Sequence, residues 1–542
     1  MNDIEFEVVM GDIPIATNNV IVLNEQQQEG FNKIISFLED DTTSFTLSGY
    51  GGTGKTTIIK FIIDYIRQHN PMTIVLCSPT HQANKVIKNS LKFAQEVKTF
   101  ASLFSKKFNP ITRSYEFALS SDDKLPIDCL LIIDECSMID NESFEVAVTT
   151  CKERNVKLIF MGDMMQLPPI GGKTISLSFT ETESLFLLTK LMRQQPTNPI
   201  VKLYSQIREN PLNSVKFGSN VNEETTEGIL LIGYDEFKKT IAENFSSEEF
   251  KYNKKHCRIL CYTNNKVEEY NSLVRKLTLE DDTHPYQIGE IVKGYDQISQ
   301  TNQVENGQDY LVTKSTETSI SVDVTDASSI KYDTKYVDYR KTSVKVMIKG
   351  IELEILEITD MTDLTNLDKY KYSKKFIFIP YLVKENDLFF KNLTILSQMQ
   401  GKMKDYKMKS ELYKDLSTIF SRIQLEDTVF LYNNEYVCLK SLKKSKPEMF
   451  RMDEFGYCEY DQLLMKHKAF LLKKNIDYGY ASSIHKIQGG TLTNVIIDIK
   501  DIYNPVTAKV IYKEESPFTT ERNALLYVAL SRAKKMTYCY VK

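Results

Sequence analysis

At 542 residues the chain is too long for one hydrophobic core and fits three or four domains, and its formal net charge of −4 excludes a global positive field that would draw in a polyanion. With 42% hydrophobic and 26% charged residues, 30 Tyr, 28 Phe and no Trp, it is not a disordered chain. Any nucleic-acid contact must come from a local groove of Lys and Arg. The nine cysteines form no Cys-x-x-Cys pair and read as reduced thiols of a cytosolic protein; Cys257 and Cys261, beside His256, read as buried rather than metal-bound. The acidic start Met1–Glu7 lacks the regions of a signal peptide, and no apolar run approaches the roughly 20 residues of a membrane span. A cytoplasmic protein without membrane contact is expected.

Residues 1–22 read as an irregular extension, after which apolar residues from Glu25 to Leu38 fall at helical spacing behind Asn24, a helix cap. Apolar strands then alternate with amphipathic helices: strand Phe45–Ser48, a Gly-rich turn, helix Lys55–Gln68, strand Thr73–Cys77, a helix from Gln82, and strands Cys129–Ile133 and Lys157–Met161. That order predicts an α/β fold with a parallel sheet covered on both faces. A second α/β unit begins near residue 190, continues through Arg258–Tyr262 and Val267–Lys276, and is completed by Val495–Ile499 and Ala524–Arg532. It is interrupted by a β-rich insertion with short strands at Ser319–Val324, Ser343–Ile348 and Phe376–Ile379 and a helical stretch Leu393–Arg422. The expected domains are 23–190, carrying a small insertion at 105–127; 191–300 joined to 476–542; and 301–475.

The sharpest motif lies between the first strand and the second helix, where Gly49-Tyr-Gly-Gly-Thr-Gly-Lys55-Thr56 satisfies G-x-x-x-x-G-K-[ST]. The backbone of Gly49, Gly51, Gly52, Thr53 and Gly54 would wrap a phosphate at a helix N-terminus opened by Lys55, Thr56 and Thr57. Lys55 would reach the β and γ phosphates and the Thr56 hydroxyl would bind Mg²⁺, so the implied cofactors are ATP and Mg²⁺. An apolar strand ends in Asp134 and Glu135, a second metal ligand and a water-activating base. After the next strand, Gly162-Asp-Met-Met-Gln166-Leu-Pro-Pro169 places an amide that both donates and accepts, suited to sensing the γ phosphate.

These motifs, with Ser78-Pro-Thr80-His81, Leu188-Thr-Lys-Leu-Met-Arg193, Ala481-Ser-Ser-Ile-His485-Lys-Ile-Gln488-Gly489 and Tyr527-Val-Ala-Leu-Ser531-Arg532, stand in the order and spacing of the superfamily 1B helicases. The chain resembles their phage Dda-like branch most, RecD-like enzymes next, over roughly 23–315 and 475–542. The resemblance implies two RecA-like P-loop domains, a strand-splitting pin inserted in the first and an SH3-like insertion in the second. It makes Gln27 the adenine reader, puts Gln488 and Gly489 on the nucleotide, and makes Arg193 and Arg532 arginine fingers reaching across a cleft. It places Thr80, His81, Thr99, Thr263, Asn264, Ser483 and His485 on the tracked strand; Ala101, where the family usually has His, departs from the pattern. Phe117 or Leu119 would be the wedge of the pin, the alternative being an inert hairpin packed on the first domain. Lysine and tyrosine runs at 331–336, 369–375 and 440–446 fit either a strand-guiding surface or a solvated face.

The implied activity is ATP-driven translocation on single-stranded DNA, 5′ to 3′, unwinding duplex DNA in replication, recombination or repair. The expected partners are single-stranded and forked DNA, with single-strand-binding or replisome proteins beyond them, for a monomer in a bacterial or phage-infected cell. Two alternatives stand beside it: an RNA helicase or ribonucleoprotein remodeller, and a nucleotide-switched binding module without unwinding.

Overall fold

The computed structural model describes residues 22–541 apart from internal stretches, the longest being 295–303, 366–373, 403–410, 415–428 and 452–475. The expected extension lies outside the described residues as far as residue 21, as does most of each lysine and tyrosine run.

The first unit is built on six parallel strands in the order Lys98–Thr99, Thr73–Ser78, Cys129–Ile133, Lys157–Gly162, Ser44–Gly49 and Ser184–Leu188. Strands Ser44–Gly49 and Cys129–Ile133 are buried at every position, as a sheet covered on both faces requires. On one face the helix Lys55–His69 lays down Ile58, Ile59, Ile62, Ile63 and Ile66, each worth at most about 1.5–3 kcal/mol of burial. The helix Glu25–Glu39 joins it, with Gly30 against the Phe186 ring, where a β-carbon would stand 2.8 Å from Cε1.

The second unit repeats the plan with Ala481–Ser483, Cys257–Cys261, Leu492–Asp498, Ala533–Tyr540 and Glu227–Ile232 parallel, plus an antiparallel edge Asn220–Asn222. Between the two sheets runs the helix Glu521–Leu530, buried from Asn523 to Leu530, whose apolar sequence on all sides marks an enclosed helix. One continuous apolar core joins Leu131 and Leu158 of the first sheet to Leu526 and Val528 of this helix.

The insertion departs from expectation in two ways. Its sheet, ordered Lys374–Pro380, Ser343–Glu357, Asp309–Thr325, Ile291–Gly294 and Ile476–Tyr478, is antiparallel and takes in strands on both sides of the expected 301–475 limits. Its strands are also long, 17 residues for Asp309–Thr325 and 15 for Ser343–Glu357. Residues 313–321 are exposed or half-buried throughout, so they carry no apolar stripe by which a strand is recognised in sequence. The ribbon spans two cores: Tyr310, Val312, Leu353 and Ile355 pack at the second unit, while Val322, Val324, Val346 and Ile348 pack under the helix Asp387–Lys402. That helix starts before the expected Leu393, because Phe389 and Phe390 already belong to its buried face; residues 403–410 and 415–422 lie outside the described residues.

Candidate nucleotide site and strand contacts

The turn after Ser44–Gly49 is shaped by glycines. Gly52 and Gly54 both have φ +87°, a left-handed backbone that a side chain resists. A β-carbon on Gly49 would lie 2.7 Å from Thr53 Oγ1, and one on Gly54 would overlap the Gln27 amide. Thr53 closes the turn by donating from Oγ1 to the Tyr50 carbonyl at 2.9 Å, and Lys55 Nζ donates to the Gly49 carbonyl at 2.5 Å. Thr56 and Thr57 follow half-buried in the first helical turn.

Gln27 lies beside the phosphate turn and is hydrogen-bonded at both ends of its amide. Its Oε1 accepts the Asn24 N–H at 3.1 Å in a capping box, and its Nε2 donates to the Thr53 carbonyl at 3.0 Å. Both ends of the amide thus fasten the first helix to the phosphate turn, at 3% exposure. Gln26 holds the other side of the turn: its Oε1 accepts the N–H of Thr189 and of Lys190, each at 3.0 Å. Met192 then donates its N–H to the Gly52 carbonyl at 2.7 Å, which brings the chain to the phosphate turn one residue before Arg193. Arg193 itself lies outside the described residues.

The acids stand at the end of Cys129–Ile133. Asp134 N–H bonds the Cys77 carbonyl at 2.9 Å, and the Asp134 carboxylate accepts the Glu135 N–H at 2.8 Å. Burial first, then the charge of Glu135, push the Asp134 carboxyl up to about 7, with Lys55 opposing. Glu135 has φ 54°, ψ 43°, a left-handed conformation of the kind that concentrates at functional sites. It faces the second unit, since a β-carbon on Gly489 would stand 3.2 Å from Glu135 Oε1.

From the second unit, Arg532 arrives 2% exposed and held on three sides: Nε donates to the Val528 carbonyl at 3.1 Å, Nη1 to the Gly490 carbonyl at 3.1 Å and Nη2 to Ser531 Oγ at 2.9 Å. Its Nη2 is 3.8 Å from where a Gly51 β-carbon would be. Burial lowers the Arg532 pKa, and the negative charge of Glu135 opposes the shift most. Two buried amide atoms of this region have no hydrogen-bond partner among the described residues: Gln166 Oε1 and Gln488 Nε2. Leaving each unpaired costs about 1–3 kcal/mol, so a polar ligand offering a donor and an acceptor fits here.

The residues assigned to the tracked strand occupy matching corners of the two sheets. Thr80 follows Thr73–Ser78 and Thr99 ends the strand paired with it, Ser78 opposite Thr99. In the second sheet Thr263 follows Cys257–Cys261 and Ser483 ends its partner, Cys261 opposite Ser483. Two of these are helix caps, Thr99 Oγ1 accepting the Ser102 N–H at 3.2 Å and Thr263 Oγ1 the Lys266 N–H at 3.4 Å, while Thr80 Oγ1 accepts the Ala83 N–H at 3.2 Å. Thr263 is further anchored, donating from Oγ1 to Asp501 Oδ1 at 2.9 Å. Asn264 is exposed at the start of the helix Asn264–Thr278. Burial lowers the His485 pKa, and its ring centre lies 6.0 Å from that of Tyr262. His81 lies outside the described residues.

The strands Lys106–Asn109 and Ser114–Phe117 pair as a hairpin. Phe117 pairs with Lys106 at the base of the hairpin, half-buried against the first unit's core, with Lys106 Nζ 4.8 Å above its ring. The tip at 110–113 and Leu119, the other residue expected at a wedge, lie outside the described residues. Residues that sequence reasoning passed over are Asp163, Tyr527 and Arg208. Tyr527 donates to Asp163 Oδ2 at 2.8 Å and accepts the Gly51 N–H at 3.1 Å, while the Arg208 guanidinium lies 4.4 Å from the Tyr50 ring centre. The signal for Tyr527 was a lone polar tip in the apolar run Ala524–Leu530.

Residues 22–220 match the AAA domain family. The chain is 28% identical over 294 residues to the ATP-dependent DNA helicase dda of Enterobacteria phage T4, covering 52% of this chain and 63% of that protein. It is 26% identical over 276 residues to the RecBCD enzyme subunit RecD of Buchnera aphidicola, covering 47% and 44%. It is a homologue of the superfamily 1B helicases. The chain thus spans less than two thirds of these relatives' length. A crystal structure of a Pif1 helicase from Bacteroides, in complex with ADP-AlF3 and ssDNA, aligns over 96% of this chain and 94% of its own at 16% identity, with a TM-score of 0.43. No helix among the described residues is long and apolar enough to cross a membrane.

Proposed function

We propose that this superfamily 1B homologue is an ATP-dependent DNA helicase that moves 5′ to 3′ on single-stranded DNA and unwinds duplex ahead of it. The observation that carries the reading is the meeting of Glu135, Gln166, Arg532 and the phosphate turn at one interface between two RecA-like domains. ATP is held by the turn from Gly49 to Thr57, with Lys55 on the β and γ phosphates. Mg²⁺ fits beside it: Thr56 and Asp134 would hold the ion, whose charge relieves the crowding of two adjacent carboxylates. Glu135 polarises the attacking water, Gln166 senses the γ phosphate, and Arg532 with Arg193 stabilises the charge that develops on it. The amide atoms Gln166 Oε1 and Gln488 Nε2 gain partners when nucleotide closes the cleft, a differential affinity that drives closure. Thr80, Thr99, Thr263, Asn264, Ser483 and His485 grip sugar and phosphate from the matching corners of the two domains, so the grip carries no sequence information. The first domain covers 23–190 and the second 191–290 with 479–542, the insertion being carried on the second with Ile291–Gly294 and Ile476–Tyr478 in its sheet.

The test is ATP turnover with and without single-stranded DNA for the wild type and Lys55→Ala, then unwinding of forks bearing one 5′ or one 3′ tail. Stimulation by DNA that Lys55→Ala abolishes, with unwinding only from the 5′ tail, is expected. Stimulation by RNA alone would replace the reading with an RNA helicase, and turnover indifferent to every nucleic acid would leave a nucleotide switch.

A further inference from the structure

The strand-contact and phosphate-contact groups leave one buried hydroxyl at the cleft without an assigned role. Tyr527 is 0% exposed in the helix Glu521–Leu530, and a buried phenol must find polar partners. It finds both in the other domain. Its O–H donates to Asp163 Oδ2 at 2.8 Å, and its oxygen accepts the N–H of Gly51, in the phosphate turn, at 3.1 Å. Its ring is held edge-on to Tyr204, centroids 6.0 Å apart at 87°, so the hydroxyl is aimed by packing rather than free to turn.

Asp163 in turn shapes the loop that carries Gln166. It is wholly buried, its Oδ1 accepts the Met165 N–H at 3.0 Å, and its carbonyl accepts the Gln166 N–H at 3.1 Å. Arg532 sits five residues beyond Tyr527, just past the end of the same helix, with its Nε on the Val528 carbonyl. A movement of that helix therefore shifts Arg532 and the Tyr527 hydroxyl together, the one toward the phosphates and the other toward the base of the Gln166 loop.

We propose that Tyr527 is a positioning residue that passes the placement of the second domain, through Asp163, to Gln166 and, through Gly51, to the phosphate turn. This inference rests on the ATPase reading above. The hydroxyl touches no reacting atom. It fixes where Gln166 and the turn stand when Arg532 is in place.

Tyr527→Phe keeps the ring and removes both hydrogen bonds. In the full chain with saturating single-stranded DNA, kcat should fall about tenfold, while KM for ATP moves less than about threefold. In a Gln166→Ala background the same change should cost less than about twofold, because the two residues act through one loop. Wild-type kinetics in Tyr527→Phe, a KM that rises as far as kcat falls, or full multiplication of the two losses in the double variant overturns the proposal. If thermal unfolding shows that Tyr527→Phe does not fold, Asp163→Asn, which keeps the shape of the loop, must show the same kcat loss and the same masking by Gln166→Ala, or the proposal fails. Turnover that survives Lys55→Ala would sink the ATPase reading itself. Lys55-dependent turnover with multiplying losses sinks only this inference.

Discussion

Single residues here do two kinds of work, and burial separates them. Lys254 is 7% exposed with its Nζ 4.6 Å from the Phe250 ring centre, and burial draws its ammonium down from 10.5 to about 8, Glu290 partly opposing. Below pH 8 the folded chain bears the full cost of that buried charge. Between 8 and 10.5 the unfolded chain binds more protons than the folded one, so this contribution to stability rises with pH. Lys254→Met should therefore raise stability at neutral pH by about 1–2 kcal/mol, an advantage that shrinks as pH climbs through that window. Urea unfolding at a series of pH values measures it, and a Met variant weaker than wild type at neutral pH contradicts it. Gln27 shows the other kind: buried beside the phosphate turn, its amide bonds Asn24 at one end and Thr53 at the other. Sequence identifies the side chain but not which of two nearby partners takes its hydrogen bonds.

At the scale of elements, the phosphate turn is specified almost entirely by local chemistry. Gly54 needs φ +87° and has no room for a β-carbon beside Gln27 Nε2. Gly54→Ala should cost about 1–2 kcal/mol from the left-handed backbone alone and abolish ATP binding, as measured by thermal unfolding and nucleotide titration. Adding Gln27→Ala should return part of the stability, because the overlap goes, without returning binding. The long ribbon Asp309–Thr325 with Ser343–Glu357 is the opposite case. Its middle carries Thr316, Glu317, Thr318 and Ser319 with no buried face, so no periodicity announces it; pairing with its partner strand and a core at each end hold it. Likewise Phe117 reads in sequence as an aromatic within a hairpin, and only its pairing with Lys106 shows that it sits at the base.

Across the whole molecule, the insertion is tied to the second α/β unit by charge as well as by apolar packing. Arg258 of the second sheet pairs with Asp309 of the insertion, Nη2 to Oδ2 at 2.8 Å, and Lys293 Nζ stands 3.6 Å from Asp309 Oδ1 and 3.3 Å from Ser482 Oγ. Burial pushes the Asp309 carboxyl up, but Arg258 and Lys293 together hold it below the usual range. Beside them Arg275 Nε donates to Glu290 Oε1 at 2.8 Å, which also accepts from the Tyr480 hydroxyl at 3.1 Å. Asp309→Ala would strand two buried cations and should destabilise the chain by about 3–5 kcal/mol, with the insertion becoming the first site of limited proteolysis. An Asp309→Ala protein as stable and protease-resistant as wild type would show that the insertion is not fixed to the domain through this cluster.

The two α/β units, the phosphate turn, the acid pair and the order of the remaining motifs are all legible before folding is considered. Each of these is written in short-range pattern: apolar runs of strand length, glycines where φ must be positive, acids and amides at strand ends. Packing in three dimensions had to settle the partners of Gln27, the base position of Phe117, the reach of the insertion's sheet to Ile291–Gly294 and Ile476–Tyr478, and the contact of Tyr527 with Asp163 and Gly51. Those contacts join residues up to 476 positions apart, and a hydrogen bond leaves no periodic trace in either of the segments it connects.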